Sequence, residues 1–378
     1  MNKKILLAPN SFKEAADSVT ISNILSHQLL SLVKYSIIEK PISDGGDGFL
    51  SVCEKLFSGS RLTYSIKNNY NDQMSPVDII YVKSDNTVYI ESAEVIGLKK
   101  IPAKYRNPME LNTSSLGRLL KKIVHDVQEN KIRVDKVIIG VGGTATIDFA
   151  LGVASEFGLK IFNNKGLDLE VKPINFTRID SIQFEGKFLP FKIALVADVE
   201  TLLFGSNNAI KLYSEQKGTN SDNILELIKG FSNIYNILQN KEITEISKQL
   251  NGAGGGLAAG MEIFFNAEII RSKDFINDQI LNNINLNEIG AVITGEGAFD
   301  TQSLENKGAY VVIQKFMGTD IPVFLICGKF EKSVLPELPK NVKVIELSKY
   351  FKSLDESIRN YEIGLKKAVI EIVDYLKN

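Results

Sequence analysis

The run Val-Ile-Ile-Gly-Val-Gly-Gly-Thr-Ala-Thr-Ile-Asp at residues 137–148 constrains this chain more than any other stretch. Val134 and then Val137, Ile138 and Ile139 form a short β-branched run, the kind that a parallel sheet covers on both faces. Gly140, Gly142 and Gly143 break that strand, and Phe149, Ala150, Leu151, Val153 and Ala154 follow at roughly helical spacing. Strand, glycine turn and helix together make a phosphate cradle. Glycine lets backbone N–H groups approach an anion, and a helix N-terminus adds partial positive charge. Thr144 and Thr146 add hydroxyls. The same residues also read as a tight strand-to-helix turn with no ligand. The spacing Gly140-x-Gly142-x-x-Ala145 fits a relaxed dinucleotide fingerprint, but such a site wants an acid about 20 residues on, at the end of the next strand. The run Gly-Leu-Lys-Ile-Phe-Asn-Asn from Gly158 has none, and no Gly-x-x-x-x-Gly-Lys-Ser/Thr occurs in the chain. An NAD site and a Walker-type loop are therefore rejected.

Composition narrows the field further. The chain has 378 residues, 44% of them hydrophobic, enough for two or three domains with substantial cores. Its 44 Lys and Arg balance 45 Asp and Glu. That gives no electrostatic footprint for nucleic acid or an acidic membrane. Cys53 and Cys327 are the only cysteines, which excludes a disulfide framework or a zinc ribbon. His27 and His125, the only histidines, both fall in helical patterns, which argues against a Ser-His-Asp hydrolase or a His-rich metal centre. The apolar run near Met1 is too short for a signal peptide and no stretch reaches the length of a membrane span. The expected location is cytoplasmic.

Taken in order, residues 4–8 form a first strand ending at Pro9, and Asn10-Ser-Phe-Lys-Glu14 is a polar loop beyond it. Ligands of open parallel sheets bind at such strand ends. Asp17 or Ser18 caps a helix, and a strand at Ile37 and Ile38 runs into Asp44-Gly45-Gly46-Asp47-Gly48. Two carboxylates beside glycines suit magnesium, or else an Asx turn with helix-capping aspartates. From about residue 62 the texture changes to short alternating runs, at residues 62–66, 77–82 and 87–92, which read as antiparallel or mixed strands. Further on come a strand ending at Asp198, the basic turn Gln216-Lys217-Gly218, and a glycine-rich segment at residues 252–260. Gly254, Gly255 and Gly256 are costly in a helix. They read either as a loop cradling a ligand or as a close backbone crossing. A strand at residues 291–294 leads to Gly295-Glu296-Gly297 and Asp300; strands at residues 322–327 and 342–347 follow, and a helix at residues 353–376 closes the chain.

Four glycine-rich strand ends, acids at Asp44, Asp198 and Asp300, and lysines at Lys13, Lys217 and Lys307 are the parts that phosphoryl transfer asks of a protein. With Arg106-Asn-Pro108 and Gly308 they stand in an order that resembles the bacterial two-domain glycerate kinases. The resemblance covers nearly the whole chain. It implies an α/β fold of two domains: a Rossmann-like parallel-sheet domain built from residues 1–62 and 288–378, and a mixed α/β domain, residues 63–287, inserted in it. It also implies ATP-dependent phosphorylation of D-glycerate, the 2-phosphate favoured, with magnesium as cofactor and no nucleic-acid or membrane partner. The residues that would carry catalysis are Lys13, Asp44, Asp198 and Asp300, the three aspartates also holding the metal. Those that would bind substrate or phosphate are Ser11, Gly45, Gly46, Arg106, Gly142, Gly143, Thr144, Lys217, Gly254, Gly255, Gly295 and Glu296. The family usually has Asp where Asn10 stands, Gly-Gly where Phe149 and Ala150 stand, and often Arg at Ala298. The alternative that follows is a weak or inactive relative that binds a nucleotide or a hydroxy acid. Ile147 and Phe149 are expected to narrow the pocket beside the glycine turn.

Overall fold

The computed structural model describes residues 3–186, 189–197, 202–205, 209–214, 217–240, 250–305 and 307–377. The chain divides into two compact units, one of Met1–Leu56 with Ser272–Asn378 and one of Phe57–Arg271. The dividing points fall earlier than those expected, after Leu56 rather than residue 62 and after Arg271 rather than residue 287. The strand Ser60–Lys67 pairs along its length with Met74–Val82, which carries residues 57–62 into the second unit. Ser272 Oγ donates to the Asp44 carbonyl at 2.8 Å and Phe275 packs on Phe49, so residues 272–287 belong with the first.

The first unit holds a five-stranded sheet in the order Val342–Glu346, Val323–Phe330, Ile289–Phe299, Lys4–Pro9, Ser36–Glu39, with every neighbouring pair parallel. Ile5, Leu6, Leu7 and Ala8 are all fully buried, which is what a strand covered on both faces requires. On one face Ile5, Leu7, Ile293 and Ile326 pack with Ile21, Leu25 and Leu29 of the helix Ser18–Leu30 and with Leu365, Val369 and Ile372 of the last helix. Asp17 caps the helix Ser18–Leu30, accepting from Thr20 N–H at 2.7 Å. Numbered along this unit the strand order is 2-1-3-4-5, a doubly wound arrangement whose direction of winding reverses between Lys4–Pro9 and Ile289–Phe299.

The closing helix is two helices, Leu354–Arg359 and Tyr361–Lys377. Ser353 Oγ accepts from Glu356 N–H to start the first, and the Asn360 side chain donates to the Glu356 carbonyl where it stops. A single amphipathic pattern runs across both, so the break is invisible in the hydrophobic spacing alone.

The second unit holds a six-stranded mixed sheet in the order Glu268–Arg271, Lys192–Ala197, Lys136–Gly140, Thr87–Glu91, Met74–Val82, Ser60–Lys67. The first four strands are parallel and the last two antiparallel. Val137 and Ile139 bury against Leu116, Leu119 and Ile123 of the helix Ser114–Gln128. A second cluster gathers Phe149, Phe176, Phe231 and Phe264. The helix after the glycine turn begins only at Leu151 and ends at Glu156. Phe149 and Ala150, apparently its first residues by spacing, are both left-handed, with φ of 56° and 55°.

Candidate active site

In a doubly wound sheet a crevice opens above the carboxyl ends of the two strands at which the winding reverses. In the first unit a cavity of about 360 Å³ is lined there by both strand ends. Lys4–Pro9 delivers Asn10, Ser11 and Lys13, and Ile289–Phe299 delivers Glu296, Gly297 and Ala298, followed by Asp300 and Ser303. Asp44 enters from beyond the strand Ser36–Glu39, and Leu354, Ser357, Ile358 and Tyr361 from the broken closing helix.

The walls are held by backbone contact. Asn10 N–H donates to the Gly295 carbonyl at 2.8 Å, and Ser11 N–H donates to the Asn10 side-chain oxygen at 2.8 Å. A Cβ at Gly295 would stand 2.1 Å from the Ile326 carbonyl oxygen, and one at Gly297 would stand 3.0 Å from the Lys13 nitrogen. These glycines let the neighbouring strand and the Asn10–Glu14 loop close in. Gly308 is fixed twice over: its φ is 45°, and a Cβ there would stand 2.7 Å from Asn10 Nδ2 and 2.8 Å from Glu296 Oε2.

Three of the acids that line this cavity differ in what they already bind; Glu14, the fourth, is exposed. Asp44 Oδ1 accepts from Gly46 N–H at 3.1 Å, an Asx turn, while Gly45 N–H is taken by Ser43 Oγ at 3.2 Å. Asp300 Oδ1 accepts from Gln302 N–H at 2.9 Å and Ser303 N–H at 3.3 Å. Glu296 Oε1, by contrast, is sealed from solvent with no hydrogen-bond partner among the described residues. Burial, with Asp44 and Asp300 nearby, pushes the Glu296 carboxyl up to about 7, against a hydrogen bond with Ser303 and the charge of Lys13. Lys13 itself is exposed at the cavity rim. Lys307 also lines the cavity and pairs with Glu305 at 3.2 Å.

The glycine turn of the second unit is built differently. Lys217 is buried, donating to the Thr146 carbonyl at 2.9 Å and to Thr144 Oγ1 at 3.2 Å. Burial lowers its pKa to about 7, against the attraction of Asp148. Asp148 is fully buried and accepts from Thr113 N–H at 2.7 Å, Thr113 Oγ1 at 2.9 Å and Gly152 N–H at 3.0 Å. Burial nevertheless raises its carboxyl above the usual range. Gly254, Gly255 and Gly256 all have positive φ, and a Cβ at Gly255 would stand 2.2 Å from the Thr146 carbonyl oxygen. The backbones of this segment and of Thr146–Ile147 therefore cross closely. Gly142 and Gly143 turn their carbonyls inward, to Ser92 Oγ at 3.4 Å and Leu98 N–H at 3.0 Å. Arg106 is exposed, its Nε donating to the Ile101 carbonyl at 2.8 Å.

Of the residues expected to act together, Lys13, Ser11, Asp44, Glu296 and Asp300 line one cavity, and Lys217, Thr144 and Gly255 meet in the second unit. Asp198 lies outside the described residues. The expectation for Ile147 and Phe149 is corrected. Both are core residues, and Phe149 makes edge contacts with Phe231 and Phe264 at ring distances of 5.7 and 6.3 Å. Sequence reasoning missed the anchoring role of Asp148, whose signal was an acid set among apolar residues. It also missed Ser303 and Gly308 as neighbours of Glu296.

The first unit is a doubly wound α/β unit with lysine and carboxylates at its strand ends. The model of the glycerate kinase family matches residues 5–377, and the chain belongs to that family, phosphotransferases acting on an alcohol group. It is 26% identical over 377 residues to a glycerate kinase of Neisseria meningitidis serogroup B, covering 98% of this chain and 97% of that one. It is 24% identical over 339 residues to a glycerate 2-kinase of Escherichia coli K12, covering 88% and 86%. A crystal structure assigned as glycerate kinase 2 of Salmonella typhimurium LT2 superposes with a TM-score of 0.78 at 21% identity, covering 99% of this chain and 98% of the other. Among the described residues no helix is long and apolar enough to cross a membrane.

Proposed function

We propose that the chain transfers the terminal phosphoryl group of ATP to a hydroxyl of D-glycerate, giving phosphoglycerate, with the 2-phosphate the favoured product. The observation that carries this reading is the cavity of the first unit, where Lys13, Ser11, Asp44, Glu296 and Asp300 face one space of about 360 Å³. That volume is at the small end for ligand pockets and suits a three-carbon acid better than a whole nucleotide. Lys13 supplies the positive charge, for the glycerate carboxylate or for transferring phosphoryl oxygens. The backbone at Ser11 and Gly297 keeps the floor of the cavity fixed.

Magnesium fits the donor chemistry of this cavity. It is held by one or two carboxylates, with waters and substrate phosphate oxygens completing its shell. Asp44 and Asp300 are the hard oxygen donors that would hold it; Asp198 lies outside the described residues. Among the described residues no group of three acids stands close enough to cage a metal ion unaided. Bound magnesium supplies charge neutralisation on the transferring group. Meanwhile Lys13 orients the anionic substrate and the apolar side chains Leu354 and Ile358 limit water.

The test is ADP release from ATP and magnesium with D-glycerate, L-glycerate and no acceptor, with the product's phosphate position read by phosphorus NMR. Release with D-glycerate that stops on chelation of magnesium supports the reading. No release, together with no D-glycerate binding by calorimetry, overturns it.

A further inference from the structure

We infer that Glu296 is the general base, taking the proton from the glycerate hydroxyl that attacks ATP, with Ser303 and Gly308 holding its carboxylate in place. The inference rests on the phosphotransferase reading above and assigns a role within that same cavity.

An ionised carboxylate repels phosphate oxygens, so Glu296 is poorly suited to the phosphate-binding part that its place in Gly-Glu-Gly first suggests. A base needs an acceptor atom that is free, near the substrate and reluctant to be ionised. Asp44 and Asp300 are the acids assigned to magnesium above, and each already accepts from backbone N–H donors of its own turn. Glu296 has one oxygen, Oε1, sealed and without a partner among the described residues, and its side chain lines the cavity. Its other oxygen faces the backbone of Gly308, where only a hydrogen leaves room.

The groups facing Glu296 come from every neighbouring segment. Asn10 and Lys13 lie on the loop after the first strand, Asp44 on the loop after the second, and Asp300 and Ser303 beyond its own strand. Cys327 lies on the next strand, its thiol pushed up by burial and by the acids Glu346 and Glu296. Burial is the first cause of the shift to about 7, and the charge of Lys13 opposes it.

In the step, the O–H bond of glycerate breaks and its proton goes to Glu296. The hydroxyl oxygen forms a bond to the γ-phosphorus, and the bond from that phosphorus to the β,γ-bridging oxygen breaks, its electron pair leaving with ADP. Glu296 returns the proton to water after product leaves.

The experiment compares the parent enzyme with Glu296→Gln and Glu296→Asp over pH 5.5–9. The proposal expects kcat of the Gln variant to fall at least about 100-fold, with KM for glycerate and ATP within about threefold of the parent. It also expects the parent's acid limb to vanish, and Asp, which keeps a carboxylate, to retain more turnover than Gln. Glutamine turning over within about threefold of the parent overturns the proposal, as does a loss confined to KM. If Gln melts early, the Asp variant decides: full parental turnover with an unmoved acid limb overturns the proposal. An inactive parent overturns the functional reading itself, a result distinct from an active parent with an indifferent Glu296.

Discussion

Two glycine-rich strand ends in this chain use the same residue types and reach opposite outcomes. At the first-unit cavity the lysine is exposed and one carboxylate oxygen has no partner among the described residues. At the second-unit turn the lysine is buried, two of its donors are spent on Thr144 and Thr146, and Asp148 Oδ2 accepts three hydrogen bonds, while Asp148 Oδ1 and Thr146 Oγ1 are sealed without a partner among the described residues. Glycine beside lysine and acid is thus a grammar for bringing backbones together. What differs is where the lysine goes: to the rim of a cavity in the first unit, and onto Thr144 and Thr146 in the second.

The sharpest way to break this contrast is Asp148→Ala. It leaves the Thr113 and Gly152 donors without their acceptor and removes the charge that attracts Lys217, and we expect a loss of about 3–5 kcal/mol in urea unfolding. A loss under about 1 kcal/mol would show that the second turn is no scaffold. Phe149→Gly comes next. Glycine relieves roughly 1–2 kcal/mol of left-handed strain, but the ring it removes is fully buried, worth about 3–5 kcal/mol. We expect net destabilisation by about 2 kcal/mol and no gain in glycerate turnover; a stabilised or more active variant would return Phe149 to the pocket wall.

Lys13→Met should behave in the opposite way, with melting unchanged and kcat/KM lowered at least about tenfold, or 1.4 kcal/mol of transition-state stabilisation. Unchanged turnover would move the anion-pairing role to another lysine. The smallest effect is a pH slope. Lys217 has a folded-state pKa of about 7, below its unfolded value, so above pH 7 the unfolded chain holds a proton that the folded chain has released. Stability contributed by this group therefore rises from pH 7 toward 10 and is lost as pH falls through 7. Lys217→Met should remove that part of the slope, and an identical slope in both proteins would place the lysine in solvent.

The sheets were legible because β-branched runs at residues 4–8, 137–139 and 291–294 carry their burial in their composition. The cavity's location was legible because polar loops after such strands have one place to go. The partnering of charges was not. Lysine is usually exposed, and nothing around Gln216-Lys217-Gly218 announces that Lys217 is inside. Nor does helical spacing at Phe149 and Ala150 reveal left-handed backbone. The one clue is that relatives usually place glycine pairs there, and φ of 56° and 55° supplies the physical reason.

The parallel pairing of Lys4–Pro9 with Ile289–Phe299 sets an order of events during synthesis. Thr294 Oγ1 donates to the carbonyl of Ala8 across a separation of 286 residues. At about 5–20 residues per second the first strand leaves the ribosome roughly 14–57 s before its partner exists. Phe57–Arg271 is contiguous and can fold in that interval, while one edge of an apolar strand, the edge not taken by Ser36–Glu39, waits. The cavity is therefore the last part of the molecule to be assembled, and any pause in translation lengthens the time that the strand bearing Ile5, Leu6 and Leu7 spends exposed to other chains.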